Sequence, residues 1–143
     1  MGAGAAGVCV LVWFVVLCWY DVRERRLPNR LTVPGAVAVL TCAAVAGHGV
    51  SAAVGAATLF GIYLALHLIV PTGMGAGDVK LAIGVGALTG AFGVDVWALA
   101  AMAAPLMTAV WAILARLVSA ERTVPHGPSM CVTAAVATAI AVW

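Results

Sequence analysis

Residues 52–80 read AAVGAATLFGIYLALHLIVPTGMGAGDVK. The first part, 52–70, contains no Asp, Glu, Lys or Arg, and it is long enough to cross a hydrocarbon layer as one helix. Pro71 interrupts it, glycines alternate at 73, 75 and 77, and Asp78 and Lys80 open a second apolar run. A chain that is apolar on both sides of such a turn needs a reason to keep a carboxylate there.

The whole chain resembles this stretch. Of its 143 residues, 65% are hydrophobic and 8% charged, and the mean hydropathy is +1.16. Soluble domains carry roughly a quarter of their residues charged. So few charges do not cover a water-exposed surface, and lipid is the expected solvent for most of it. The net charge of +2 is unremarkable, and no nucleic-acid partner is expected. GMGAGDVK is not a soluble phosphate loop, because it has neither Gly-Lys-Ser/Thr nor the GxGxxG spacing. Cys9, Cys18, Cys42 and Cys131 stand singly, with no CxxC pair, and read as buried thiols. No metal or other cofactor is expected.

Apolar runs place candidate spans at 2–20, 34–50, 52–70, 79–93, 96–118 and 127–143. The expected fold is an all-α polytopic membrane protein of about six helices, a single membrane-embedded unit over 1–143. Residues 1–20 do not read as a cleaved signal peptide, since the basic cluster follows the apolar run. With six alternating helices, all seven Lys and Arg residues fall on one side. Arg23, Arg25, Arg26 and Arg30 follow the first span, Lys80 opens the fourth, and Arg116 and Arg122 follow the fifth. The positive-inside rule then puts that side in the cytosol and both termini outside.

Asp21 and Asp78 fall at the same inner level in this topology. If the first and fourth helices pack side by side, the two carboxyl groups meet. Ionisable groups at membrane depth are costly and mark function. Two close carboxyls tend to keep one proton between them, so one partner acts as base and the other as acid. Gly75 and Gly77 would let an extended substrate backbone come close to Asp78. Plainer readings stay open: Asp78 caps a helix, Asp21 pairs with Arg25, and the glycines are helix-packing sites.

Two motifs in order narrow the choice. Asp21 opens DVRERRLPNRLTVP, and Gly75 to Asp78 open GAGDVKLAIGVGALTG. Together with VPHGPSM at 124–130, they resemble the type IV prepilin peptidases, a family of membrane aspartyl peptidases. The resemblance implies that Asp21 and Asp78 are the catalytic pair and that Gly75 and Gly77 are the substrate approach. It makes Pro28, Asn29 and Lys80 members of the structural motifs. The implied substrates are prepilins or pseudopilins, cut on the cytosolic side just before their hydrophobic helix, in a bacterial cytoplasmic membrane. The Cys-pair insertion of longer relatives is absent, so the implied activity is peptidase without methyltransferase, as in the short enzymes of Flp-type pilus systems. His126 stands where the family often has Phe. Oligomeric state is not legible.

Other residues read more plainly. His67 is expected to be a hydrogen-bonded interhelical histidine, His48 a solvent-facing one, and Asp95 a helix N-cap. Glu24 has local partners in Arg23 and Arg25. Trp19 and Trp143 suit interface anchoring, and Trp111 suits packing within the fifth helix. Two other functions stay open, an ion- or proton-coupled transporter using the same aspartates and a non-catalytic membrane scaffold of pilus assembly.

Overall fold

A computed structural model describes residues 2–118 and 124–142. It contains six helices: α1 Gly2–Glu24, α2 Asn29–Val45, α3 Gly49–Ile69, α4 Ala76–Ala91, α5 Val94–Val118 and α6 Gly127–Val142. No strand occurs among the described residues. The segments 4–24, 49–69 and 94–118 are long and apolar enough to cross a membrane, while α2 and α6 are apolar but shorter. Arg122 and Trp143 lie outside the described residues.

Helix boundaries depart from the apolar runs at the charged ends. α1 continues through Asp21 to Glu24, so Asp21 sits inside the helix rather than beyond it. α2 begins at Asn29, more than a turn before Pro34, because Pro28 takes the N-cap with φ −68° and ψ 134°. The Pro28 carbonyl accepts from the Leu31 and Thr32 N–H groups at 2.9 and 3.2 Å. Asp95 lies in the first turn of α5 and is not its cap; the Gly93 carbonyl accepts the Trp97 N–H at 3.1 Å.

α4 is the hub. It contacts α2, α3, α5 and α6, and half or more of its residues are buried, among them Leu81, Ala82, Val85 and Ala87. Its glycines bring backbones together, the arrangement lipid-embedded helices use where no hydrophobic force separates protein from tail. A Cβ on Gly86 would run into the Gly55 carbonyl oxygen of α3, and one on Gly55 into the Gly86 carbonyl oxygen. Gly90 repeats the contact one turn on, where a Cβ would lie 2.8 Å from the Ser51 carbonyl oxygen.

α1 attaches differently. It contacts α2 and α6, and among the described residues no Cα of α1 comes within 8 Å of α4. The side-by-side packing of the first and fourth helices is therefore replaced by a bridge. Large side chains hold the α1 backbone off: Phe14 and Leu17 are buried, and the Trp13 ring fills the space over Gly35 of α2 and Gly84 of α4. Its indole N–H donates to the Leu31 carbonyl at 3.0 Å, so the ring brings no unsatisfied donor into the core.

The outward faces of α1, α3 and α5 are apolar and exposed, as a lipid-facing surface requires. Trp111 is on that outer face, 54% exposed, and is not a packing residue. Cys9 and Cys42 are likewise exposed; Cys131 alone is a buried thiol, with Cys18 intermediate. Trp19 near the end of α1 lies under the Arg23 guanidinium at 4.4 Å, as an interfacial ring would.

Gly86→Ala tests the α3–α4 contact. The new methyl meets a backbone oxygen that cannot move by itself, so the helices must separate. The expected loss is about 1–3 kcal/mol, read as a lower unfolding midpoint in detergent. Gly61→Ala on the same α3 meets nothing within 4 Å and is expected to leave the midpoint unchanged.

Candidate active site

At one end of the bundle, the C-terminal end of α1 is hydrogen-bonded to the start of α6, and the start of α2 to the start of α4. Asp21, in the last turn of α1, is buried. Its Oδ2 accepts the Gly127 backbone N–H at 3.0 Å. Gly127 is the first residue of α6, so this N–H is one of the donors a helix start leaves free. A Cβ on Gly127 would lie 2.5 Å from Asp21 Oδ2 and 3.1 Å from its Cγ, and only glycine allows the approach. The HGP of the sequence thereby acquires a physical role. Below the site α1 stops at Arg25, whose φ of +49° is a left-handed turn; its N–H returns to the Asp21 carbonyl at 3.0 Å.

Asp78 lies in the first turn of α4, two residues inside its start. The N-cap is Gly75, with φ −72° and ψ 142°. The Asp78 N–H donates to the Gly75 carbonyl at 3.1 Å, and the Asp78 carboxyl faces back to the Gly75 N–H. This is half of a capping box, so the capping reading of Asp78 describes a real part of its environment. Each aspartate thus faces the amino end of a helix, Asp78 its own and Asp21 that of α6.

The two aspartates lie within electrostatic reach of one another. Both also act on Cys131, one turn into α6, the helix that contacts α1 and α4 alike. α6 therefore performs the bridging that direct packing was expected to perform.

The motif residues interlock. Leu27 fills the space beside Gly77, where a Cβ would come within 2.9 Å of the Leu27 Cβ. Gly77 thus accommodates the LPN stretch, while Gly75 stays exposed beside Asp78. Asn29 Oδ1 accepts from Lys80 Nζ at 2.7 Å, tying the start of α2 to the start of α4. Lys80→Met, which keeps the stem and removes the donor, is expected to cost about 1 kcal/mol of stability and little else. Equal unfolding midpoints for the two proteins would show that this bond stabilises nothing.

His67 is hydrogen-bonded, but not to another helix. Its Nδ1–H donates to the Met74 carbonyl at 2.8 Å and pins the loop leading to Gly75. His48 is exposed at the start of α3. Among the described residues no group of three His, Cys, Asp or Glu side chains is placed to hold a metal ion.

A second polar cluster went unread in the sequence. Tyr63 of α3 is 4% exposed, and its hydroxyl lies 2.8 Å from His126 Nε2. His126 Nδ1 lies 2.6 Å from the Thr108 hydroxyl of α5, which back-bonds to the Ala104 carbonyl at 3.0 Å. The Tyr63 and His126 rings are 5.6 Å apart and tilted by 34°. Burial pushes the His126 imidazole below its ordinary value, which keeps it neutral. Tyr63 lies within electrostatic reach of Asp78, and His126 directly precedes Gly127, the donor to Asp21. A tyrosine and a histidine one turn apart, Tyr63 and His67, in an otherwise apolar span were the available signal.

Comparison with known families adds one finding. The model of the type IV leader peptidase family matches residues 8–119, which includes Asp21, the LPN stretch and Asp78. No curated protein and no solved structure matches. With a match over more than half of its length and with helices long and apolar enough to cross a bilayer, this membrane protein belongs to the type IV leader peptidase family.

Proposed function

We propose that the protein is a membrane aspartyl endopeptidase that removes the basic leader of a type IV or Flp-type prepilin. The observation that carries this reading is the convergence of Asp21 and Asp78, far apart in sequence, at one end of the bundle and within electrostatic reach. In this reading all six helices lie in a bacterial cytoplasmic membrane as a single unit, with both termini outside. The basic residues and the aspartates face the cytosol. Methyltransferase activity is not part of it.

The aspartate pair holds one proton. Its ionised member takes a proton from water, and the water oxygen attacks the scissile carbonyl carbon. The protonated member gives its proton to the carbonyl oxygen as the double bond opens. As the tetrahedral diol collapses, one hydroxyl returns its proton to the second aspartate and re-forms the C=O, the C–N bond breaks, and the leaving amine takes the proton that the first aspartate had accepted. The leader leaves with a carboxyl terminus and the pilin with a new amino terminus. Exposed Gly75 lets the substrate backbone lie against the Asp78 end of this pair, and Gly77 packs Leu27 beneath it.

The test is co-expression with a small prepilin carrying a short basic leader before its hydrophobic helix. Cleavage is expected as a size shift, with the new amino terminus at the leader junction. An inserted wild-type protein that leaves several such substrates intact, or cuts them elsewhere, overturns the reading.

A further inference from the structure

The peptide unit between His126 and Gly127 is bonded through both of its polar atoms. Its N–H donates to Asp21 Oδ2 at 3.0 Å, and its carbonyl accepts the Met130 N–H at 3.2 Å. On one side the unit continues into α6, where Pro128 follows with no N–H of its own. On the other side is the His126 Cα, which precedes the first residue of the helix. The imidazole ring is what ties down that side.

Both ring nitrogens are bonded, and to two different helices. Nε2 lies 2.8 Å from the Tyr63 hydroxyl of α3, and Nδ1 lies 2.6 Å from the Thr108 hydroxyl of α5. A neutral imidazole has one donor and one acceptor, and a hydroxyl serves as either. The two bonds therefore form with the proton on either nitrogen. Tyr63 is itself buried in the core, so one tie is anchored deep in the bundle. Any displacement of the start of α6 away from Asp21 carries the His126 Cα with it and pulls on both ties. A phenylalanine at this position would fill the space and make neither.

We infer that His126 is a positioning residue: through its bonds to Tyr63 and Thr108 it fixes the Gly127 N–H against which Asp21 is set for catalysis. The inference rests on the peptidase reading and adds to it what holds Asp21 from outside α1. A catalytic group of this kind depends on a supporting layer of bonds that keeps its partner in place.

His126→Phe by itself mixes two effects, because it strands the buried Tyr63 hydroxyl and so destabilises the fold. The double variant, Tyr63→Phe with His126→Phe, strands no hydroxyl, and Thr108 keeps the Ala104 carbonyl as its partner. Its unfolding midpoint in detergent is expected to lie above that of His126→Phe and close to wild type. Its kcat for cleaving a small prepilin is expected to stay about 10-fold below wild type with KM unchanged, since the partner of Asp21 is no longer held in register. A double variant that recovers stability and wild-type kcat together overturns the inference, because a merely structural role behaves that way.

Hydrogen exchange of the Gly127 amide, followed by NMR on protein with isotope-labelled glycine, needs no turnover. The amide is expected to exchange about 10-fold faster than wild type in the double variant, and by a smaller factor in the nearly isosteric Thr108→Val. The Gly86 amide inside α4 is expected to keep its rate. Gly127 exchange at the wild-type rate in both variants, or equal acceleration at Gly86, overturns the inference and leaves the peptidase reading standing if wild type cleaves. A wild-type protein that leaves every such prepilin intact removes the peptidase reading, and the catalytic role of His126 with it.

Discussion

Asparagine at position 21 or 78 is expected to lower the single-turnover cleavage rate by ~10³-fold or more while leaving the protein folded. The substitution is nearly isosteric, so it separates charge and proton transfer from shape. The amide oxygen of Asp21→Asn can still accept the Gly127 N–H, and that of Asp78→Asn can still face the Gly75 N–H. The local hydrogen bonds that hold α1 to α6 and cap α4 therefore survive. What is lost is the ability to take a proton from water or to give one to the carbonyl. Removing one of two acidic groups from a shared site also removes their mutual repulsion, so the unfolding midpoint is expected to stay level or rise. Paired cleavage and thermal-unfolding measurements in one detergent decide the matter. Rates near wild type from an inserted Asp78→Asn protein exclude an aspartate mechanism. A rate loss matched by an equal loss of stability would make the aspartates structural.

The residues that the sequence made conspicuous are those that lipid makes expensive. Asp21 and Asp78 stand out because a carboxylate beside apolar runs has a cost that needs a return, and the LPN and GAGD segments stand out because their residue types are unusual in such runs. The structure ties those segments together through Leu27 on Gly77 and Asn29 on Lys80, a pairing that hydropathy does not encode. Which helices neighbour one another is equally invisible in an apolar pattern. α1 and α4 carry the two acids, yet the bulk of Trp13, Phe14 and Leu17 keeps their backbones apart, and α6 closes the gap. The apolar run placed the second span from position 34, but Pro28 supplies the cap earlier and leaves Pro34 inside α2. The glycines were ambiguous for a different reason. The same residue type serves the α3–α4 contact at Gly55, Gly86 and Gly90, the slot for Trp13 at Gly35 and Gly84, and the approach to an acid at Gly127. Only the partner distinguishes these uses, and the partner is far away in the chain.

Gly127→Ala is the second substitution with a large expected effect, because it alters the site without touching a titratable side chain. The added methyl would stand 2.5 Å from Asp21 Oδ2 and 3.1 Å from Cγ, closer than non-bonded atoms approach. Something must give, and the choices are unequal. Gly127 is the first residue of α6, whose next turns bury Met130, Cys131 and Ala134 in the core, so the helix start is held from behind. Position 128 is proline and has no N–H to offer as a replacement donor. Asp21 must therefore swing off its N–H, and the carboxyl moves by roughly the ångström for which misplaced catalytic groups lose about 10²-fold in rate. The effect is expected in kcat with KM nearly unchanged, since the substrate approach at Gly75 is on the other acid. Stability is expected to fall by about 1–3 kcal/mol from the crowding and the lost bond. Combining the change with Asp21→Asn distinguishes the two components. In that background the methyl should still lower the unfolding midpoint, but cleavage, already abolished, should not fall further. A Gly127→Ala protein that cleaves at the wild-type rate would mean that the Gly127 N–H does not place Asp21 for catalysis, whatever it contributes to the fold.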